Sequence, residues 1–292
     1  MKTVNSKVLV AYSDHGSALD GQGELRHFKF RKGIERPLAG DCVDIDDEGR
    51  LESIRERTTL FGRGDHQGTF KATAANIDQL LIVIAPEPAP SHDLITRYLV
   101  MAELQQISAI VVLNKSDLPI PNQAPFNELS LMESLGYPVL QVSAHQPHLL
   151  NNLSEVVRNK SSLLAGQSGV GKSSLLNALI PNVGSLTNQL SRATGKGRHT
   201  TTTTRFYPLP EGGYLVDSPG VWEYGLWVIP LERLEQAFVD FRPYVGLCRF
   251  RNCTHSHEPG CAIIGAVESG NIHPSRHHAW CRLLAEQQRY VR

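Results

Sequence analysis

The sequence predicts a multidomain α/β protein: a small β-barrel, then a parallel sheet with helices on both faces, then a helical part built around a metal site. Up to about residue 63 the chain consists of short β-favouring runs without a helical period. Buried-strand patterns then alternate with helical stretches, which is typical of a parallel sheet. Cysteines and histidines cluster near the C-terminus. For a chain of 292 residues we place the domain boundaries at 1–67, 68–225 and 226–292.

Composition and charge are those of an ordinary globular protein. Hydrophobic residues make up 41% of the sequence and charged residues 20%, which excludes a disordered or fibrous chain. The longest apolar stretches, residues 80–85 and 107–113, are far shorter than the ~18 residues of a membrane helix. Because the N-terminus also lacks an apolar signal-peptide core, we expect a protein of the reducing cytoplasm with no membrane partner. We also expect a monomer.

The first predicted domain is a β-barrel formed by the runs KVLVAY, HFKF and CVDI, which turn residues separate. The net charge of the chain is zero, but its segment 26–36 carries five basic residues and one acidic residue, interleaved with Phe28 and Phe30. Cations that contact phosphates and rings that stack on bases are typical of an RNA-binding barrel. A solvated hairpin whose phenylalanines belong to the core explains the same residues equally well.

The central part alternates strands and helices. DQLLIVIAPEP is a buried strand, a helix capped by Ser91 runs to about Gln106, and ISAIVVLN forms the next strand. YPVLQVSA and SSLLAGQSG supply further strands, each with polar residues directly after it. The loops after parallel strands meet at the carboxyl edge of a sheet, where α/β proteins bind ligands. The sequence therefore predicts one ligand site at this edge.

A phosphate-binding loop follows the strand SSLLA. The segment from Gly166 to Ser173 matches G-x-x-x-x-G-K-[ST] and precedes a helix, which is the context that this motif requires. Backbone amides would contact the α- and β-phosphates, Lys172 the β- and γ-phosphates, and the Ser173 hydroxyl would bind Mg²⁺. The predicted nucleotide-binding residues here are Gly166, Gln167, Ser168, Gly169, Val170, Gly171, Lys172, Ser173 and Ser174. A glycine-rich turn before a lysine is the alternative interpretation.

Two further segments indicate guanine as the base. They are the motif Asn114, Lys115, Ser116, Asp117 after the strand ISAIVVL, and the pair Ser143, Ala144 after YPVLQV. The Asp117 carboxylate can accept hydrogen bonds from guanine N1–H and N2–H₂, a pattern that adenine does not offer. Lys115 can lie along the base, Asn114 can hold the loop, and the Ala144 amide can donate to guanine O6. Each segment by itself is also a common polar turn.

The segment Asp217-Ser218-Pro219-Gly220 ends the strand GGYLVD. Asp217 is placed to hold Mg²⁺ through water, and the Gly220 amide is placed to bond the γ-phosphate. A plain turn is the alternative. The basic stretch from Arg192 to Arg205, RATGKGRHTTTTTR, lies before this strand, and one of its threonines, foremost Thr201, would complete the Mg²⁺ shell.

Catalysis needs a group that orients the attacking water. Val221 follows the DxxG glycine and cannot do so, whereas a glutamine at that position could. His199, beside the threonine run, is our candidate for positioning the water or accepting its proton. A solvent-facing histidine in a basic loop is the alternative. The predicted catalytic residues are His199, Lys172, Asp217 and Gly220.

Cysteines and histidines near the C-terminus predict a metal site. Cys248, Cys253, His255 and Cys261 supply three thiolates and an imidazole within fourteen residues, a set that suits tetrahedral Zn²⁺. His257 could replace His255, and free thiols with surface histidines remain the alternative. A closed set of four ligands has no open position for water, so we interpret the zinc as structural. Cys42 and Cys281 have no such neighbours and are expected to be ordinary small side chains.

The order of the motifs predicts a circular permutation. In most GTPases the phosphate loop precedes the NKxD motif, whereas here NKSD at 114 and Ser143-Ala144 precede the loop at 166. The same sheet can be cut elsewhere because the original termini lie close together at the surface. The segment after Asp217 then runs directly into the C-terminal domain.

The succession NKSD, SA, GQSGVGKSS, GRHTTTT, DSPG and CRFRNCTHSHEPGCAI closely resembles the RsgA family of circularly permuted GTPases, over nearly the whole chain. The resemblance implies an OB-fold, a G domain and a zinc domain. It also implies GTP hydrolysis to GDP and phosphate, stimulated by the 30S ribosomal subunit, and contacts to 16S ribosomal RNA during late maturation of that subunit. His199 matches the histidine proposed as catalytic in that family. A signalling or metabolic GTPase without an RNA partner, and a GTP-sensing module, are the alternatives; an ATPase is a weaker one.

Overall fold

The computed structural model describes residues 3–30, 33, 35–91, 93–185, 203–218 and 226–290. The strands are β1 Thr3–Ala11, β2 His15–Asp20, β3 Leu25–Lys29, β4 Cys42–Asp46, β5 Leu51–Ile54, β6 Leu60–Gly64, β7 Phe70–Ala75, β8 Gln79–Ile84, β9 Ser108–Leu113, β10 Val139–Gln141, β11 Ser161–Ala165, β12 Arg205–Pro208 and β13 Tyr214–Asp217. The α-helices are α1 Leu94–Gln105, α2 Leu129–Ser134, α3 Asn151–Val157, α4 Lys172–Leu179, α5 Leu231–Gln236, α6 Ala262–Glu268 and α7 Pro274–Tyr290.

The N-terminal strands form the predicted barrel. They make an antiparallel five-stranded sheet in the order β3-β2-β1-β4-β5, which curls because the β1–β2 and β4–β5 pairings each contain a register irregularity. A bridge between Lys29 and Arg50 brings the two edge strands together. Phe28 is 2% exposed and belongs to the apolar core of this sheet, whereas Phe30 is only partly buried against it. The interpretation that the phenylalanines belong to the core of the barrel therefore holds for Phe28.

A hairpin, β6–β7, connects the barrel to the central sheet. Its turn spans Asp65 to Thr69, so the boundary expected between residues 67 and 68 falls inside one supersecondary unit. The Asp65 side chain accepts hydrogen bonds from the amides of Gln67 and Thr69, both at 2.9 Å. The hairpin also reaches the C-terminal part, because Gly68 O accepts a hydrogen bond from the Val228 amide at 2.8 Å.

The central sheet has six strands in the order β10-β9-β8-β11-β13-β12, parallel except for β12. Strand β8 is fully buried and sends alternate side chains to opposite faces. Leu80 packs in a core with α1, whereas Leu81 packs in a second core with α3 and α4. The prediction of helices on both faces is confirmed. Helix α1 begins at Leu94 without a side-chain cap, later than the expected start at Ser91.

The strand order places a topological switch point between β8 and β11. The chain leaves β8 through α1 toward β9 on one side, and leaves β11 through α4 toward β12 and β13 on the other. Ligands of open α/β sheets bind in the crevice outside the carboxyl ends of such strands.

Barrel and sheet meet at an aromatic contact. The ammonium group of Lys7 on β1 lies 5.6 Å and 5.1 Å from the ring centroids of Phe206 and Tyr214. It also donates to Ser161 Oγ at 3.2 Å. Burial lowers the pKa of Lys7, whereas nearby acidic groups oppose that change.

The C-terminal helices dock on α1 through arginines. Arg276, only 1% exposed, pairs with Asp240 at 2.9 Å and donates to Thr96 Oγ1 on α1 at 3.3 Å. Arg97 on α1 makes two hydrogen bonds, of 2.9 and 2.7 Å, to the carboxylate of Glu286 on α7. Such two-fold guanidinium–carboxylate contacts fix orientation as well as distance. Among the helices of the described ranges, none is long and apolar enough to span a membrane.

Candidate nucleotide site and metal centre

The loop after β11 has the backbone geometry that a phosphate-binding loop needs. Gly166 has φ +140°, and a Cβ there would lie 2.2 Å from Val83 O. Gly171 has φ +95°, and a Cβ there would lie 2.3 Å from Asn114 Nδ2. Since L side chains rarely adopt such φ values, only glycine fits both positions. Helix α4 begins directly afterwards at Lys172, so its free amides face the loop.

Lys172 lies across this loop. Its ammonium group donates to Gly166 O at 2.7 Å and to Gln167 O at 2.8 Å. Burial lowers the pKa of Lys172, and the neighbouring carboxylate of Asp217 opposes that change. The hydroxyl-bearing residues Ser168, Ser173 and Ser174 are exposed, whereas Val170 is buried in the core. The loop thus presents a partly buried cation and open hydroxyls on one side.

The NKSD segment is attached to the phosphate loop. Asn114 is 1% exposed, and its amide donates to Val170 O at 2.9 Å. Lys115 has φ +57° and donates from Nζ to Gly169 O at 2.9 Å. Ser116 donates from its hydroxyl to Val142 O at 2.9 Å, which ties the segment to the residue directly after β10 as well. Three segments far apart in sequence therefore form one rigid edge.

Asp117 projects from this edge into solvent. A hydrogen bond from the hydroxyl of buried Ser143 is the main reason that the pKa of Asp117 lies below its ordinary value. The carboxylate is therefore oriented and held ionised, ready to accept hydrogen bonds. Ala144, half-buried, follows in the same loop. The sequence presented Ser143 only as part of a weak Ser-Ala pair, whereas the structure gives it an orienting contact.

Asp217 ends β13 at the same edge of the sheet. It pairs in register with Arg205 at the start of β12, and burial raises its pKa while Lys172 and Arg205 oppose that change. Next to it, the hydroxyls of Thr204 and Ser218 lie 2.8 Å apart and are buried. The predicted residues His199, Thr201 and Gly220 lie outside the described part of the chain.

The four predicted metal ligands converge. One donor atom from each of Cys248, Cys253, His255 and Cys261 lies within 4.8 Å of all the others. Cys248 Sγ is 3.8 Å from Cys261 Sγ, and His255 Nδ1 is 3.4 Å from each of those two sulfurs. Tetrahedral zinc–ligand bonds of about 2.3 Å to sulfur and about 2.05 Å to nitrogen imply separations of about 3.8 Å and about 3.5 Å. The residues therefore fit a zinc ion bound through Nδ1.

The second nitrogen of His255 is also accounted for. Its Nε2 lies 3.2 Å from the carboxylate of Glu235 on α5, the kind of outer contact that fixes the ring and tautomer of a metal-binding histidine. Trp280 packs beside the same ring, with centroids 5.8 Å apart. His257, the alternative ligand, is exposed and lies outside the group. Cys42 and Cys281 are half-buried and do not join it.

Comparison with known proteins identifies the family. The sequence model of the RsgA GTPase family matches residues 54–227. The small ribosomal subunit biogenesis GTPase RsgA of Burkholderia mallei (strain ATCC 23344) is 43% identical over 294 residues, covering 98% of this chain and 93% of that protein. The chain belongs to the RsgA GTPase family. The protein of the same name from Alcanivorax borkumensis is 45% identical over 268 residues, covering 88% of this chain and 76% of that one.

Two solved structures that superpose on this chain confirm the predicted fold class. The crystal structure of YjeQ from Thermotoga maritima superposes with a TM-score of 0.79 at 30% identity, covering 98% of this chain and 99% of that one. YloQ, described as a circularly permuted GTPase, gives 0.75 at 28% identity, covering 98% and 96%. The protein therefore has an N-terminal OB-fold, a circularly permuted GTPase domain and a C-terminal helical part with a Cys₃His group. Membership also confirms the prediction of a GTP hydrolase.

Sequence reasoning missed two contributors to these sites. The segment Glu87–Ala89 after β8 offers its carbonyl groups to side chains of the nucleotide edge. Glu235 lies twenty residues before the metal ligand His255 and orients its ring. The acidic residue has no spacing signature, and backbone carbonyls carry no sequence signal at all.

Proposed function

We propose that this protein is a GTPase that docks on the small ribosomal subunit, contacts 16S rRNA and hydrolyses GTP to GDP and phosphate during late maturation of the subunit. The observation that carries the nucleotide part is the attachment of Asn114 and Lys115 to the phosphate loop. A base-reading segment and a phosphate-binding segment joined at one edge suit a guanine nucleotide. The ribosomal part is supported by the names of relatives at 43% and 45% identity. Such a role belongs in the cytoplasm.

In this proposal each segment of the edge has one task. The amides from Gly166 to Ser174 hold the α- and β-phosphates, and Lys172 neutralises the β- and γ-phosphate oxygens. Asp117 accepts from the guanine N–H groups, and the Ala144 amide donates to O6. Ser173 and Asp217, joined by Thr201, would hold Mg²⁺, and Gly220 would sense the γ-phosphate. A metal bound there would neutralise charge that develops on the phosphates.

The metal centre is proposed to hold one structural Zn²⁺. Three sulfurs and one nitrogen form a complete tetrahedral set, and the Cys253, His255 and Cys261 side chains are at most 6% exposed. A buried, complete set is typical of structural zinc. We also propose that residues 1–67 act as an RNA-binding barrel, 68–225 as a G domain and 226–292 as a zinc-binding domain, with hairpin β6–β7 shared between the first two.

His199 is proposed to position the attacking water, because Val221 replaces the glutamine that many GTPases use. We expect His199→Ala to lower the single-turnover rate of GTP hydrolysis by about 100-fold, within the range of general acid–base assistance. Binding of GTP should stay within about twofold of the unsubstituted protein. An unchanged hydrolysis rate at unchanged GTP affinity would reject this role.

Ribosomal subunits provide the decisive test of the whole proposal. We expect purified 30S subunits to raise the GTP hydrolysis rate by at least about tenfold, because docking supplies contacts that the free protein lacks. Equal amounts of 50S subunits serve as the control. Stimulation by neither subunit, together with vigorous intrinsic turnover, would instead favour a signalling GTPase without an RNA partner.

A further inference from the structure

Gln167, the second residue of the phosphate loop, turns its side chain into the protein. The residue is 8% exposed, and its amide nitrogen Nε2 donates to Pro88 O and to Ala89 O, both at 2.8 Å. A primary amide nitrogen has two N–H groups, so both donors of Gln167 are used within the segment that follows β8. The side chain is therefore engaged by protein, not presented to a ligand.

The same segment is held at a second point. Lys115 Nζ donates to Glu87 O at 2.7 Å as well as to Gly169 O at 2.9 Å. A Cβ added to Gly169 would lie 3.4 Å from the ring atoms Cγ and Cδ of Pro88, so the two segments pass each other with room for no more than one side-chain atom between them. Consecutive carbonyl groups of residues 87–89 thus accept from two side chains of the nucleotide edge.

This attachment bears on how a phosphate loop works. Gly166, Gly169 and Gly171 all have positive φ, and glycines have little intrinsic preference for one backbone conformation. Without an external hold, binding a nucleotide would have to order the loop, which weakens affinity. Contacts that hold the loop beforehand remove that cost.

We propose that Gln167 is a positioning residue that preorganises the phosphate loop by holding it against Glu87–Ala89. Its side chain acts through the loop and makes no contact with the nucleotide. The inference rests on the proposed nucleotide site at residues 166–174. Because the hold acts on the loop shared by all nucleotide states, it should strengthen GTP and GDP binding by the same factor.

The experiment replaces Gln167 by methionine, which keeps length and removes both donors. We expect the dissociation constants of fluorescent GTP and GDP analogues to rise equally, by about tenfold, the effect of losing one to two hydrogen bonds. The matched control is Gln79→Met. Gln79 is 6% exposed and its Nε2 also donates twice, to Val156 O at 3.0 Å and Ser162 Oγ at 2.8 Å, but it lies at the opposite end of the sheet. Gln79→Met should lower the melting temperature and leave both dissociation constants within about twofold.

Each other outcome overturns the inference. Unchanged affinities in Gln167→Met would show that the loop needs no such hold, and a rise for GTP alone would show contact with the γ-phosphate. Equal losses in Gln79→Met and Gln167→Met would reduce the effect to general destabilisation. Should Gln167→Met not fold, Gln167→Glu takes its place. Glutamate keeps the shape but sets a carboxylate against two carbonyl groups, so the affinities for GTP and GDP should both fall.

Normal nucleotide binding by Lys172→Ala would reject the proposed nucleotide site itself. Loss of binding in Lys172→Ala together with normal binding by Gln167→Met would reject only this inference.

Discussion

Replacing Cys253 by serine is expected to release the metal and unfold the C-terminal part of the protein. Cys253 is 5% exposed and lies in a group with two more thiols and a histidine. Structural zinc contributes on the order of 10 kcal/mol to the folding of small metal domains. That figure is as large as the whole folding free energy of a typical domain. Zinc content should fall from about one equivalent to about zero, and limited proteolysis should cut between residues 226 and 290.

Cys281→Ser is the matched control for this prediction. Cys281 is a half-buried cysteine on α7, close in the fold to His277 but outside the metal group. The control should keep its zinc and its resistance to protease. A chelator added to the unsubstituted protein should reproduce the effect of Cys253→Ser. Full zinc content and an unchanged melting temperature in Cys253→Ser would show that the thiol is not a ligand.

Loss of the zinc ion should also affect residues that do not bind it. Trp280 is completely buried, contacts the rings of Phe238 and Phe241, and donates from its indole to Thr254 O at 2.9 Å. Thr254 lies between two predicted ligands. The aromatic core is therefore organised around the metal loop, so losing the metal should also change tryptophan fluorescence.

Much of this fold can be predicted from the sequence because its signals are local. The uniform apolar run of β8 predicts a strand that is buried on both faces. The alternation of strands and helices predicts the parallel sheet. The phosphate loop was recognised from its motif, and two of its glycines lie where a Cβ would collide with neighbouring atoms.

The rest depends on tertiary contacts that no local pattern encodes. The choice of His255 over His257 was decided by burial, and by Glu235 on a separate helix. Hairpin β6–β7 crosses the expected boundary because its turn also packs on the C-terminal part. Gln167 occupies a position of the phosphate-loop motif at which any residue is allowed, yet its side-chain amide makes two defined hydrogen bonds.

Replacing Lys172 by alanine is expected to abolish tight nucleotide binding. The ammonium group is held at the loop by two carbonyl groups, at 2.7 and 2.8 Å, and lies near the carboxylate of Asp217. A partly buried cation interacts with phosphate more strongly than an exposed one because water screens it less. The dissociation constants of GTP and GDP should rise by about 100-fold, or about 2.7 kcal/mol. Titration of fluorescent nucleotide analogues measures both.

The control for this last prediction is Lys160→Ala. Lys160 is exposed and precedes β11 at the end of the strand opposite the phosphate loop, so it tests loss of a positive charge without loss of the site. Its affinities should stay within about twofold of the unsubstituted protein. Screening provides an independent check, because raising the salt concentration should weaken binding to the unsubstituted protein more than to Lys172→Ala, which has already lost the cation. Similar affinities for Lys172→Ala and Lys160→Ala would show that the phosphates are bound elsewhere, since a lysine at this point of a phosphate loop acts through its charge.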